Sequence, residues 1–141
     1  MYSTPAVPIL CILDDDASFC AALNRLFRSH GMRALVYPSL TRMIADHALE
    51  KADCLVFDVY LSDGNGLDFA ESLFRTATQV PFIILSAYPD DKCRIRALKA
   101  GAAAYLEKPV KEQDLLRAVH KALTRRPAQP PKERIARKAG R

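Results

Sequence analysis

Apolar positions along the chain follow two alternating rhythms. Residues 7–13 form a short apolar run that stops abruptly at Asp14-Asp15-Asp16. From there Phe19, Leu23, Leu26 and Phe27 recur at +4, +7 and +8, which is one face of a helix, and Gly31 supplies its stop. Residues 34–37 read as a second strand closed by Pro38, and Ser39 as the N-cap of a helix carrying Leu40, Met43, Ile44 and Ala48. A third strand, 54–57, ends at Asp58. The stretch 61–66 is dense in turn residues and precedes a helix marked by Leu67, Ala70 and Phe74. A fourth strand, 81–85, ends at Ser86. Asp90-Asp91 cap the next helix, which stops at Gly101. A short fifth strand, 103–106, is followed by a last helix over 111–124 with Leu115, Leu116, Val119 and Leu123 on its apolar face.

Five strands alternating with five helices predict parallel pairing, because each crossover helix returns the chain to the same end of the sheet. Strands 1, 3 and 4 are apolar throughout, as strands covered on both faces are. The expected fold is an α/β, doubly wound, five-stranded parallel sheet with helices on both faces.

Composition agrees. The chain has 141 residues, 50% of them hydrophobic and 26% charged, which suits one globular domain. No apolar run approaches the roughly 20 residues that span a bilayer. The run 9–13 is too short for the core of a secretory signal and has no basic residue before it, so the expected location is cytoplasmic, without membrane association. The four cysteines form no CxxC pair and the three histidines (30, 47, 120) are scattered, a spacing that argues for reduced structural thiols and against zinc.

The net charge of +5 changes meaning once it is divided. Residues 1–124 carry 14 basic and 15 acidic residues, whereas 125–141 carry seven basic residues and Glu133 alone. The body is therefore not a basic nucleic-acid-binding domain. The expected division is a domain over 1–125 and a Pro-rich basic tail or linker over 126–141, too poor in apolar residues to build a core and expected to be disordered. Any DNA contact through it is expected to be weak.

The strand ends carry the chemistry. Strand 1 ends in Asp14-Asp15-Asp16, strand 3 in Asp58, strand 4 in Ser86, and strand 5 is followed by Lys108-Pro109. In a parallel sheet these ends share one edge, where open α/β sheets place their sites. Clustered carboxylates need a compensating cation. A hard divalent ion, Mg²⁺ or Mn²⁺ in its place, takes such oxygens together with waters and phosphate. Asp58 is then a carboxylate nucleophile toward phosphorus, with Lys108 and the Ser86 hydroxyl as partners for the phosphoryl oxygens. Asp16 is read as a cap for the first helix, Asp14 and Asp15 as functional. Lys92, Arg96 and Lys99 form a basic stripe read as a solvated face, with a partner surface as the alternative.

At these residues the chain resembles the receiver domain of two-component response regulators, the CheY-like (flavodoxin-like) fold with strand order 2-1-3-4-5. The matching pieces are Ile12-Leu13-Asp14-Asp15-Asp16, Leu55-Val56-Phe57-Asp58, Ile84-Leu85-Ser86-Ala87, and Ala100-Gly101-Ala102 through Tyr105-Leu106-Glu107-Lys108-Pro109. The resemblance implies Asp14 and Asp15 as the acid pair, Asp58 as phosphoacceptor, and the Tyr60 carbonyl as a further Mg²⁺ ligand. It implies Ser86 and Tyr105 as a switch pair and Lys108 as the phosphate-sensing cation. Pro109 is expected to follow a cis bond that aims the lysine. Two departures stand out: Ser62 and Ala104 occupy positions where the family often carries Pro and Asp, which bears on loop rigidity and packing rather than on phosphorylation.

The function implied is a phosphorylation-operated switch. It is not a turnover enzyme, but self-phosphorylates from a donor with Mg²⁺ and dephosphorylates itself. A histidine kinase or phosphotransfer protein donates to Asp58. Ser86, without a comparable partner beforehand, moves toward the phosphate, and Tyr105 turns from an exposed to a buried position. The face of the fourth helix, fifth strand and fifth helix then becomes a contact surface for a homodimer, an effector domain or an effector protein. Two rivals remain. Asp14-x-Asp16-x-Ser18 partly mimics the signature of Mg²⁺-dependent haloacid-dehalogenase-type phosphohydrolases, though that reading leaves Asp58 without a role. The linker and basic tail also fit the N-terminal part of a DNA-binding transcriptional regulator.

Overall fold

A computed structural model describes residues 7–76, 79–88 and 90–125; the segment 126–141, read above as a tail, lies outside the described residues. Strands β1 (Ile9–Leu13), β2 (Arg33–Tyr37), β3 (Cys54–Asp58), β4 (Phe82–Ser86) and β5 (Ala104–Glu107) form one sheet in the order β2-β1-β3-β4-β5. Every pair in it is parallel. Between the strands run α1 (Ala17–Ser29), α2 (Leu40–Ala45), α3 (Gly66–Arg75), α4 (Asp91–Lys99) and, last, α5 (Glu112–Arg125). The strand order is the one expected.

Period-2 alternation sends the strand side chains into two cores. Leu10, Ile12, Val56, Ile83 and Leu85 meet Leu23 and Phe27 of α1 and Leu115 and Val119 of α5. Cys11, Leu13, Leu55, Phe57 and Ile84 meet Met43, Leu67 and Leu73 on the opposite face. Each fully buried large side chain, such as Phe27, contributes about 1.5–3 kcal/mol. β1, β3 and β4 are the central strands, which is why they alone read as continuous apolar runs. On the edge strand β2, Arg33 and Val36 stay exposed.

The caps fall where the sequence puts them. The side chains of Asp16, Ser39 and Asp90 accept the first amides of α1, α2 and α4, and Gly31 takes a positive φ of 77° after α1. Two expectations need correction. The second helix is broken: α2 ends at Ala45, His47 adopts a left-handed φ of 55°, and a separate turn, Ala48–Lys51, carries the buried Ala48. Asp46 at the break is held by the Tyr37 hydroxyl and by Lys51, which takes the chain off the helical path. Phe74 lies on the outer face of α3, whose buried stripe is Leu67, Ala70 and Leu73. Arg96 stays exposed on the face read as solvated, and there it bonds Glu71 and Asp68 of α3 and ties α4 to its neighbour.

Candidate functional site

The register of the sheet brings the ends of β1, β3 and β4 level. Leu13 pairs with Phe57, Asp58 with Leu85, and Ser86 with Glu107. The loops that leave these ends are built by their own polar groups. Asp14 donates its amide to the Tyr37 carbonyl at 3.1 Å, and its Oδ1 accepts the Asp16 amide at 2.9 Å. After Asp58 the chain makes a tight hairpin, with Tyr60 opposite Asn65 and Leu61 opposite Gly64. Asn65 then caps α3 by accepting the amides of Leu67 and Asp68. Gly66 closes the hairpin, donating to the Val59 carbonyl at 2.6 Å. A Cβ there would lie 2.1 Å from the carbonyl oxygen of Asp58, so only glycine lets the chain pass so close to the central carboxylate.

Lys108 reaches into this edge from the end of β5. Its amide hangs on the Ser86 carbonyl at 2.8 Å, and the Lys108–Pro109 peptide is cis, as expected. Nζ stands 2.5 Å from Asp58 Oδ2 and 2.8 Å from Asp14 Oδ2, and 4.3 Å from the centre of the Phe19 ring. The three charged side chains are largely shielded, at 20% exposure for Lys108, 13% for Asp58 and 5% for Asp14, so their interaction is weakly screened.

Burial sets the protonation balance. Loss of water raises the Asp58 carboxyl above the usual carboxylate range; Lys108 pulls it down and Asp14 pushes it up, and burial prevails. For Lys108 burial opposes the charge, but the bonds to Asp14 and Asp58 outweigh it and hold the ammonium above its ordinary value. The Cys20 thiol, bonded to the Asp14 carbonyl, is pushed up to about 11 by burial and then by the neighbouring carboxylates.

Asp14, Asp58 and Lys108 thus meet directly, while Asp15 stands exposed on the same loop and Tyr60 lies two residues beyond Asp58. Ser86 and Tyr105 depart from expectation. The Ser86 hydroxyl already has a partner, donating to the Tyr88 carbonyl at 2.9 Å and accepting the Tyr88 amide at 3.2 Å. Tyr105 is already inside, at 4% exposure, with Arg94 over its ring, and among the described residues its hydroxyl has no hydrogen-bond partner, although the Ser86 side chain lies beside it. The space beside β5 is filled from the outset because α4 closes over it. Tyr60 and Tyr88 stay exposed and meet edge to face across the site, ring centres 5.9 Å apart. Gly66, Phe19 and Arg94 were missed as site neighbours. The glycine density of 61–66 was a usable signal for Gly66; the other two depend on packing between distant segments.

Asp14 and Asp58 against one ammonium leave surplus negative charge at this edge, with Asp15 exposed on the adjoining loop. Among the described residues no three His, Cys, Asp or Glu side chains form a closed metal cage. Mg²⁺ does not need one, since it typically takes one or two carboxylates and keeps several waters. The donor set therefore fits that ion. Asp16, the second acid of the phosphohydrolase reading, is spent on capping α1, so the paired acids of that signature do not form.

Comparison with known proteins points the same way. Residues 10–120 match the family model described as the response regulator receiver domain. The chain is 36% identical over 121 residues to the response regulator protein TmoT of Ectopseudomonas mendocina, covering 86% of this chain and 55% of that one. It is 34% identical over 117 residues to the KDP operon transcriptional regulatory protein KdpE of Escherichia coli, covering 83% and 52%. The chain spans about half the length of these curated relatives. Among solved structures, response regulator StyR is 30% identical with a TM-score of 0.78, covering 96% of this chain and 66% of that one.

Proposed function

The chain belongs to the response regulator receiver family of two-component signalling, and from that premise we propose that Asp58 is its phosphoacceptor and Lys108 its phosphate-sensing cation. The observation that supports this most is the Lys108 ammonium bridging Asp58 and Asp14 at one sheet edge. In the proposed step an Asp58 oxygen bonds to phosphorus as the phosphorus–nitrogen bond of a phosphohistidine donor breaks. The imidazole leaves with the electron pair and takes up a proton. Lys108 shifts from the carboxylate to a phosphoryl oxygen, and Ser86 exchanges its Tyr88 partner for another.

Asp15, Asp58 and the Tyr60 carbonyl would hold Mg²⁺, with Asp14 acting through water or hydrogen bonds. When bound, the ion neutralises charge on the phosphoryl oxygens. Asp14's own contribution is to orient the β1–α1 loop through the Asp16 amide and to share Lys108. The domain is not a turnover enzyme in this reading; it accepts one group and later hydrolyses it.

The outlet is the face of α4, β5 and α5, with a homodimer or an effector as partner. Because Tyr105 begins buried, phosphate is proposed to shift a population already leaning inward rather than to move the ring from solvent. A transcriptional output is supported by the resemblance to KdpE, which is named a transcriptional regulatory protein and is about twice as long. Among the described residues no helix is long and apolar enough to cross a membrane.

The reading is tested with acetyl phosphate and Mg²⁺. Intact-mass measurement is expected to show one added phosphoryl group in the wild type, none without Mg²⁺, and none in Asp58→Asn. Undiminished labelling of that variant overturns the assignment.

A further inference from the structure

The hairpin after Asp58 has two fastenings. At its root Gly66 and Asn65 fix the chain, as described above. At its tip Ser62 and Asp63 reach a different element. Asp63 Oδ1 accepts the Leu40 amide at 2.9 Å, and Oδ2 accepts both the Thr41 amide at 2.9 Å and the Thr41 hydroxyl at 2.5 Å. The Ser62 hydroxyl donates to the Pro38 carbonyl at 3.2 Å. These bonds join residues far apart in sequence. The start of α2 already has a local cap in Ser39, whose hydroxyl accepts the Arg42 amide. Asp63 therefore serves the two amides that Ser39 does not reach.

The same stretch of chain holds the other side of the pocket. Tyr37 accepts the Asp14 amide at 3.1 Å, so residues 37–41 fasten the acid loop at one end and the hairpin tip at the other. Tyr60, whose carbonyl is given a metal role in the reading above, lies between the fixed root and that tip. At position 62 a serine leaves φ free where a proline would lock it, so the restraint on the tip comes from hydrogen bonds instead.

We propose that Asp63 is a positioning residue: by pinning the hairpin tip to the start of α2 it fixes the Tyr60 carbonyl relative to Asp15 and so sets the affinity of the pocket for Mg²⁺. The proposal rests on the metal reading above and gives a role to a residue outside the pocket. Mg²⁺ tolerates little departure from octahedral geometry, so a loosened oxygen costs affinity.

The test is calorimetric titration of Mg²⁺ into the full chain, with thermal melting as a check on folding. Asp63→Ala is expected to weaken Mg²⁺ binding about tenfold, the low end for groups that orient metal ligands. The Leu40 and Thr41 amides should exchange faster with solvent. Asp63→Asn loses the same charge, keeps one acceptor oxygen and sets an NH2 group where the other accepted, so its loss should lie between none and that of Asp63→Ala. If Asp63→Ala fails to melt cooperatively, Thr41→Val, which removes the hydroxyl bond alone, replaces it and should also weaken binding. Unchanged affinity in the folded variants overturns the positioning role alone. A wild-type chain that binds no Mg²⁺ overturns the metal reading and this proposal with it.

Discussion

The guanidinium of Arg94 lies over the ring of Tyr105, 5.2 Å from its centre, and closes that buried tyrosine under α4. Among the described residues no hydrogen bond satisfies the Tyr105 hydroxyl, and burial raises its pKa above the ordinary tyrosine value, with the Ser86 side chain beside it opposing the rise. Packing and the cation–π contact therefore hold the ring. Arg94→Ala is expected to weaken the inward position by about 0.5–1 kcal/mol, the worth of such a contact at an exposed site. A fluorine label on Tyr105 would report this as a greater outward population before phosphorylation. An unchanged spectrum would show that Arg94 only lies nearby.

Asp58 carries a cost in the unphosphorylated fold. Its carboxyl is raised by burial, so the folded protein binds that proton more tightly than the unfolded chain does. Such stability is fully present below the unfolded pKa and is lost as pH rises through the higher folded value. At neutral pH the ionised group works against folding. Asp58→Asn is therefore expected to melt higher than wild type in metal-free buffer at about pH 7, with the gain shrinking toward about pH 4, near the ordinary carboxylate value. A variant that melts lower at neutral pH would mean that the bond to Lys108 outweighs desolvation.

Gly66→Ala is expected to be severe. Its Cβ would fall 2.1 Å from the Asp58 carbonyl oxygen, which is main chain and cannot swing aside. Forcing a methyl into such a space costs typically about 1–3 kcal/mol and moves the backbone beside Asp58. Both melting temperature and the rate of acetyl phosphate labelling should fall. Labelling at the wild-type rate would place the glycine outside the site's geometry.

The thiols should separate by environment. Cys11, Cys20 and Cys54 are buried, and the Cys20 thiol, raised to about 11, is also starved of thiolate at neutral pH. Half-buried Cys93 is expected to react first with a thiol reagent, the others only on unfolding. Fast labelling of Cys20 in the native protein would contradict the shielding of the pocket beside Asp14.

Much of this was legible in the sequence because it rests on local rules. Apolar runs and helical periodicity located all five sheet strands, and the polar residues that end β1, β3 and β4 marked one edge of the sheet as the site. The caps Asp16, Ser39 and Asp90 were readable because a short oxygen-bearing side chain before a helix has few other uses. What failed was set by contacts between distant segments. The break at His47 follows from Asp46 being held by Tyr37, nine residues earlier. The partners of exposed Arg96, Glu71 and Asp68, were not readable because they sit on another helix. The buried start of Tyr105 goes with the seating of α4 and with Arg94 over its ring, neither of which any periodicity encodes.

The most direct measurement is the location of the phosphoryl group itself. Wild-type protein labelled with acetyl phosphate and Mg²⁺ is reduced with borohydride, which converts an aspartyl phosphate to homoserine, and is then digested and sequenced by mass spectrometry. Homoserine at position 58 and nowhere else is the predicted result. Homoserine at Asp14 or Asp15, or a phosphoryl group that survives reduction on a serine or histidine, would contradict the account.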